Sequence, residues 1–152
     1  MNNSLFRTNK RKQFVNLGNV HAFPFFMAKK LVLTGSLLIL LSIILGAMAA
    51  HSLEKVISSA LIETFEKGVK YQIYTGFGLL IVGLGASQFN FRLSTFYWFN
   101  LIGVLLFSGC IYLYTFHELM PALKPAVYIV PLGGSSMIIA WLILVIQIIR
   151  QK

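Results

Sequence analysis

Charge is what this sequence has least of. Only 11% of its 152 residues are charged, and just four are acidic, where an ordinary soluble chain carries roughly 25% charged residues. So few charges could not cover the surface of a water-soluble fold this size, which excludes most soluble-enzyme readings. Cysteine is nearly missing too. The lone Cys110 lies inside an apolar run, so no intramolecular disulfide can form and the redox compartment is not legible. The apolar runs also lack any ionisable carboxylate or basic residue. A proton- or ion-coupled transporter is expected to hold one near mid-bilayer. Its absence argues against pumping and leaves a passive pore or a lipid-binding groove open.

What is present is hydrocarbon. Apolar residues make up 57% of the chain, and they gather in four runs, 31–50, 71–87, 96–115 and 127–149. Each approaches or reaches the roughly 20 helical residues that cross a bilayer core. The runs are continuously apolar instead of alternating, which favours helices over barrel strands. Between the first two runs, Leu53, Val56, Ile57, Ala60, Leu61, Phe65 and Val69 recur at helical spacing, with Glu54, Lys55, Glu63, Glu66 and Lys67 opposite. That pattern predicts an amphipathic helix over 51–70, lying at the interface or capping the bundle, and leading into the second span. The expected fold class is an all-α integral membrane protein with four transmembrane helices and this interfacial helix between spans 1 and 2.

Basic residues set the orientation. With the N-terminus inside, nine of the thirteen (Arg7, Lys10, Arg11, Lys12, Lys29, Lys30, Arg92, Arg150 and Lys152) fall on the cytoplasmic side, against Lys55, Lys67, Lys70 and Lys124 opposite. Both termini inside a plasma (bacterial inner) membrane is therefore expected. The net charge of +9 belongs to these flanks. Because the aromatics sit inside apolar runs and not among the basic residues, nucleic acid is not an expected partner. Residues 1–28 read as a basic leader ahead of a membrane domain over 29–152. Met27-Ala28-Lys29-Lys30 would serve as a native start, which narrows the inside count to five; a targeting presequence is the rival reading. Ala47-Met48-Ala49 also resembles a signal-peptidase site. Against cleavage, the run continues to spanning length, and Ser42, Gly46 and Ala50 form a small-residue stripe suited to helix packing.

The polar groups inside the runs are hydroxyls, a thiol and amides: Ser42, Thr75, Asn100, Ser108, Cys110, Ser135, Ser136 and Gln147. Ser108 and Cys110 have no base in their own segment and read as packing residues, as do Gly109 and the Gly133–Gly134 pair behind Pro131. Alternating spans would bring His51, Glu54, Tyr71, Gln72, His117, Glu118, Tyr128 and Pro131 to one membrane face. Of these, His51, Tyr71, Gln72, His117, Glu118 and Pro131 form the candidate functional cluster. Two histidines and two glutamates at one level suit zinc chemically, yet neither HExxH nor CxxC spacing is present. Histidine at a helix C-terminus is equally explained by the helix dipole. No catalytic residue, metal or cofactor is assigned.

Four segments, LGAMAAHSLEK, KYQIYTGFGLL, LFSGCIYLY and VPLGGSSMIIAWL, together resemble the four-span bacterial membrane proteins of domain-of-unknown-function family 423 (YgdD-like). The residues carrying the resemblance are Gly46, Ala50, His51, Leu53, Tyr71, Gln72, Tyr74, Phe107, Ser108, Gly109, Tyr112, Pro131, Gly133, Gly134 and Trp141, and it extends over about residues 29–149. Thr75 stands where that pattern has histidine, and Val130 where it has threonine. The resemblance implies four spans without cleavage and no established reaction. A non-enzymatic structural or accessory membrane component is the expected function, working with the bilayer and with protein partners or further copies of itself. A passive pore, transporter or lipid binder is the alternative. The shared His-x-Leu/Glu ending of runs one and three also suggests a parallel duplication.

Overall fold

A computed structural model of the chain describes the backbone of residues 3–151 and the side chains of 26–53 and 55–151. Helix α1 runs unbroken over Asn3–His51, so the leader backbone from Asn3 onward continues the first span; the leader side chains before Phe26 lie outside the described residues. A short 3-10 turn, Leu53–Lys55, reverses the chain into α2, Ser59–Leu84. Next come α3 (Ser94–Val104), one π-helical turn (Leu105–Gly109) and α4 (Cys110–Thr115), stacked as a single rod. A 3-10 stretch over Pro121–Ile129 leads into α5, Val130–Arg150. Pro131 falls in the first turn of α5, where a missing N–H costs no hydrogen bond.

Among the described residues, three helices are long and apolar enough to cross a membrane: Phe26–His51, Ser94–Thr115 and Pro121–Arg150. Helix α2 is the fourth member of the bundle, and its first half carries Glu63, Glu66, Lys67 and Lys70. The separate interfacial helix expected over 51–70 is corrected here. No break occurs at Lys70–Tyr71, and the amphipathic segment and the second apolar run form one helix. The physical reason is a continuous buried stripe. Leu61, Phe65, Val69, Gln72, Thr75, Leu79 and Val82 all face inward at steps of three or four, so one face packs along the whole length. Val56, placed in that apolar stripe by the sequence, is half exposed, and Ala60 is exposed as well.

Helices α1 and α2 pack antiparallel. Gly46 faces Val69 and Gly76 faces Ile39, while Gly83 meets Leu31 and Val32. The tightest crossing is at Gly35, where a Cβ would lie 2.6 Å from the Gly76 carbonyl oxygen and 2.7 Å from the Leu80 amide nitrogen. Only a residue without a side chain allows backbones this close. Helices α3 and α5 meet in the same way: a Cβ on Gly103 would come within 3.0 Å of the Gly133 carbonyl oxygen, and one on Gly133 would run into the Phe107 amide. A core of Leu38, Leu79, Phe96, Val104, Met137 and Ala140 joins the four rods. A second cluster, centred on Ala49, Leu61 and Phe65, closes the α1–α2 reversal.

Candidate functional site

Polar side chains form a bridge between helices inside the bundle. Gln72 on α2 is buried, and its Nε2 donates to the Leu38 carbonyl of α1 at 3.0 Å. Its Oε1 accepts from the Tyr112 hydroxyl of α4 at 2.9 Å. One turn away, Ser108 donates to the Gly68 carbonyl at 2.8 Å, and the Tyr112 ring packs on Phe65 with centroids 4.7 Å apart. Ser42 donates to the same Leu38 carbonyl at 2.8 Å. A buried amide left unpaired costs on the order of 1–3 kcal/mol; here both ends of Gln72 are engaged. Ser108 sits in the π-helical turn, a widened turn of the kind often found at functional sites.

The candidate cluster separates into two levels. His117 and Glu118 lie just beyond α4, and His51 closes α1. The His117 Nδ1 is 2.7 Å from the Tyr114 carbonyl, and its ring stacks on Tyr114 at 4.5 Å. The Glu118 carboxylate accepts from Ser58 at 3.3 Å, tying the α1–α2 connection to the α4–α5 connection. His51 is exposed. Tyr71 and Gln72, by contrast, lie more than three turns inside α2, because the helix begins well before the apolar run does. Tyr71 packs on Phe107 at 4.7 Å, and Pro131 opens α5 close to Gly133, which packs on the Phe107 backbone. Among the described residues, no three His, Cys, Asp or Glu side chains come together as a metal site.

Two helix-packing assignments need correction. A Cβ on Gly109 would meet nothing within 4 Å, and Ala50 is exposed while its neighbour Ala49 is fully buried. The close approaches fall instead at Gly35, Gly76 and Gly103. Isolated glycines in an apolar run gave no sign of which helix they would meet. Gly133 lies in the α3–α5 contact, and Gly134 faces the Phe107 ring at ordinary van der Waals distance. Ser135 and Ser136 return their hydroxyls to the Pro131 and Phe99 carbonyls at 2.9 and 2.8 Å.

Beside the bridge lies a cleft of about 730 Å³ between α2 and α5. Tyr71, Tyr74, Thr75, Phe107, Met137 and Trp141 shape it. Its polar side chain at depth, Thr75, turns its hydroxyl onto the Met137 sulfur at 3.4 Å. Nothing in the linear sequence signalled this cleft, since its walls come from three segments far apart in the chain. Tyr112 likewise has no local sequence signal beyond the family resemblance.

The profile of the family described as Protein of unknown function (DUF423) matches residues 45–134, a span that contains Gln72, Ser108 and Tyr112 of the bridge but not Leu38. The chain is 32% identical to a UPF0382 membrane protein of Staphylococcus haemolyticus over 119 residues, 78% of this chain and 94% of the relative. It is 31% identical to the UPF0382 membrane protein YwdK of Bacillus subtilis, over 80% of this chain and 98% of the relative. A UPF0382 membrane protein of Haemophilus influenzae is 36% identical over 71% of this chain and 84% of its own length. No solved structure matches the chain. On this likeness, and with an all-helical bundle built from apolar helices, the chain belongs to the DUF423 family of membrane proteins.

Proposed function

We propose that the chain crosses the plasma membrane four times, with both termini on the cytoplasmic side, and acts there as a non-enzymatic structural or accessory component. The observation that carries this reading is the Tyr112–Gln72–Leu38 chain of hydrogen bonds. The half-buried Tyr112 phenol and the buried Gln72 amide are spent on joining three helices, and Ser108 and Ser136 each tie one helix to another. Groups committed in this way hold a scaffold together and leave no free acid, base or nucleophile pair among them. Counting α2 as a span is supported by its antiparallel course along α1, from the Gly46–Val69 contact to Gly83 against Leu31. The outer faces of α1 and α5 (Leu37, Ile44, Ile138 and Leu142 among them) are exposed and apolar. They suit lipid, a second copy of the chain or another membrane protein; nucleic acid has no place in this reading.

Photo-crosslinking in native membranes tests it, with the reactive side chain placed in turn at Leu37 and Ile138. A discrete protein adduct is expected from at least one position. Lipid adducts alone at both would remove the accessory role. Cysteine labelling should find Ser52→Cys and Gln88→Cys accessible from opposite sides; accessibility from one side would remove the fourth crossing.

A further inference from the structure

We infer that the cleft between α2 and α5 is a lateral site for one acyl chain of an anionic phospholipid, with Lys70 holding the headgroup. The cleft opens sideways between helices whose outer surfaces are apolar: Tyr74, Ile138, Trp141, Leu142 and Val145 are all substantially exposed along its walls. Its occupant therefore comes from the hydrocarbon phase and not from water. Along α5 the lining runs from Gly134 to Val145, about 16 Å at the helical rise per residue. That is near half of a hydrocarbon core of about 30 Å, the depth reached by a chain from one leaflet. The volume lies within the range of about 300–1,000 Å³ usual for small-molecule sites.

The rim supplies the charge. Lys67 is paired with Glu63 at 3.0 Å. Lys70 has no carboxylate partner among the described residues, and its ammonium lies 6.0 Å from the centroid of the Tyr74 ring that walls the cleft. A cation at the edge of hydrocarbon gains from a nearby anion, and a phosphodiester attached to the chain in the cleft places one there. Tyr71 stands beside it, packed on Phe107.

The protein contains two tryptophans, and Trp141 lines the cleft. Trp98→Phe leaves Trp141 as the sole reporter. This variant is reconstituted into phosphatidylcholine vesicles carrying a minor fraction of lipid brominated on its acyl chains, with either a phosphatidylglycerol or a phosphatidylcholine headgroup. Brominated phosphatidylglycerol is expected to quench Trp141 severalfold more strongly at equal mole fraction, and saturably. Adding Lys70→Gln, an exposed change that does not threaten folding, should reduce that preference about fivefold, the scale for one basic residue near an anionic surface. Adding Gly134→Leu, which fills the cleft, should abolish it. Quenching that follows mole fraction regardless of headgroup would overturn the site, because Trp141 would then report only bulk lipid. A preference unchanged by Lys70→Gln would overturn the headgroup assignment. The vesicles hold no other protein, so either result stands apart from the accessory reading.

Discussion

The hydroxyl of Tyr112 donates to Oε1 of Gln72 across 2.9 Å, joining α4 to α2 from forty positions away in the chain. Gln72 passes the connection on to the Leu38 carbonyl of α1, so three rods share one buried amide. Interhelical hydrogen bonds in membranes average only about 0.6 kcal/mol, but an acceptor abandoned in the interior costs more than the bond it loses.

Tyr112→Phe removes the donor and strands Gln72 Oε1. A loss of about 1–2 kcal/mol is expected, read by steric trapping or by thermal unfolding in a mild detergent. Adding Gln72→Leu should recover part of that loss, since replacing both partners by apolar groups is nearly neutral. A double variant weaker than the sum of the two single ones would show that the bridge is not a unit.

Backbone approach gives a sharper contrast. Gly35→Leu and Gly133→Leu each place a side chain where the neighbouring backbone already stands, and both should lose the folded, monodisperse peak on gel filtration. Gly109→Ala enters open space and should shift stability by no more than about 0.5 kcal/mol.

The two connections on the His51 side should be linkable. Ser58 Oγ and Glu118 Oε1 are 3.3 Å apart, so Ser58→Cys with Glu118→Cys, in a Cys110→Ser background, should crosslink with a short bis-maleimide. Ser87→Cys with Glu118→Cys, drawn from opposite ends of the bundle, should not. Equal yields from both pairs would contradict the antiparallel arrangement.

Surface charge on α2 should matter little for stability. Glu63 and Lys67 form an i,i+4 pair with side chains 71% and 60% exposed, and exposed pairs of this kind contribute about 0.3–0.5 kcal/mol. Glu63→Gln is expected to change the unfolding midpoint by no more than that implies, and the effect should vanish at high salt.

The rods α1, α3–α4 and α5 were legible because a long uncharged run has few alternatives to a helix once water is gone. The continuity of α2 was harder to read: Glu63, Glu66, Lys67 and Lys70 mark its first half as interfacial, although the buried face continues past them from Leu61 to Val82. That misreading put Tyr71 and Gln72 at a helix end beside His51 and His117, when α2 begins at Ser59 and carries them inward. Gly35, Gly76 and Gly103 gave no signal, because a glycine announces a close contact only when the partner helix and its rotation are known.

Read alone, the residues specify a hydrocarbon solvent, helices as the secondary structure and the positions of most helix ends. Transfer from water into lipid sums along a chain, so composition and run length suffice to read it. Which side chains meet is another matter. The depth of Gln72, its partnership with Tyr112, the crossing at Gly35 and the cleft beneath Trp141 depend on register and rotation between helices, and these are set by close packing among segments distant in sequence.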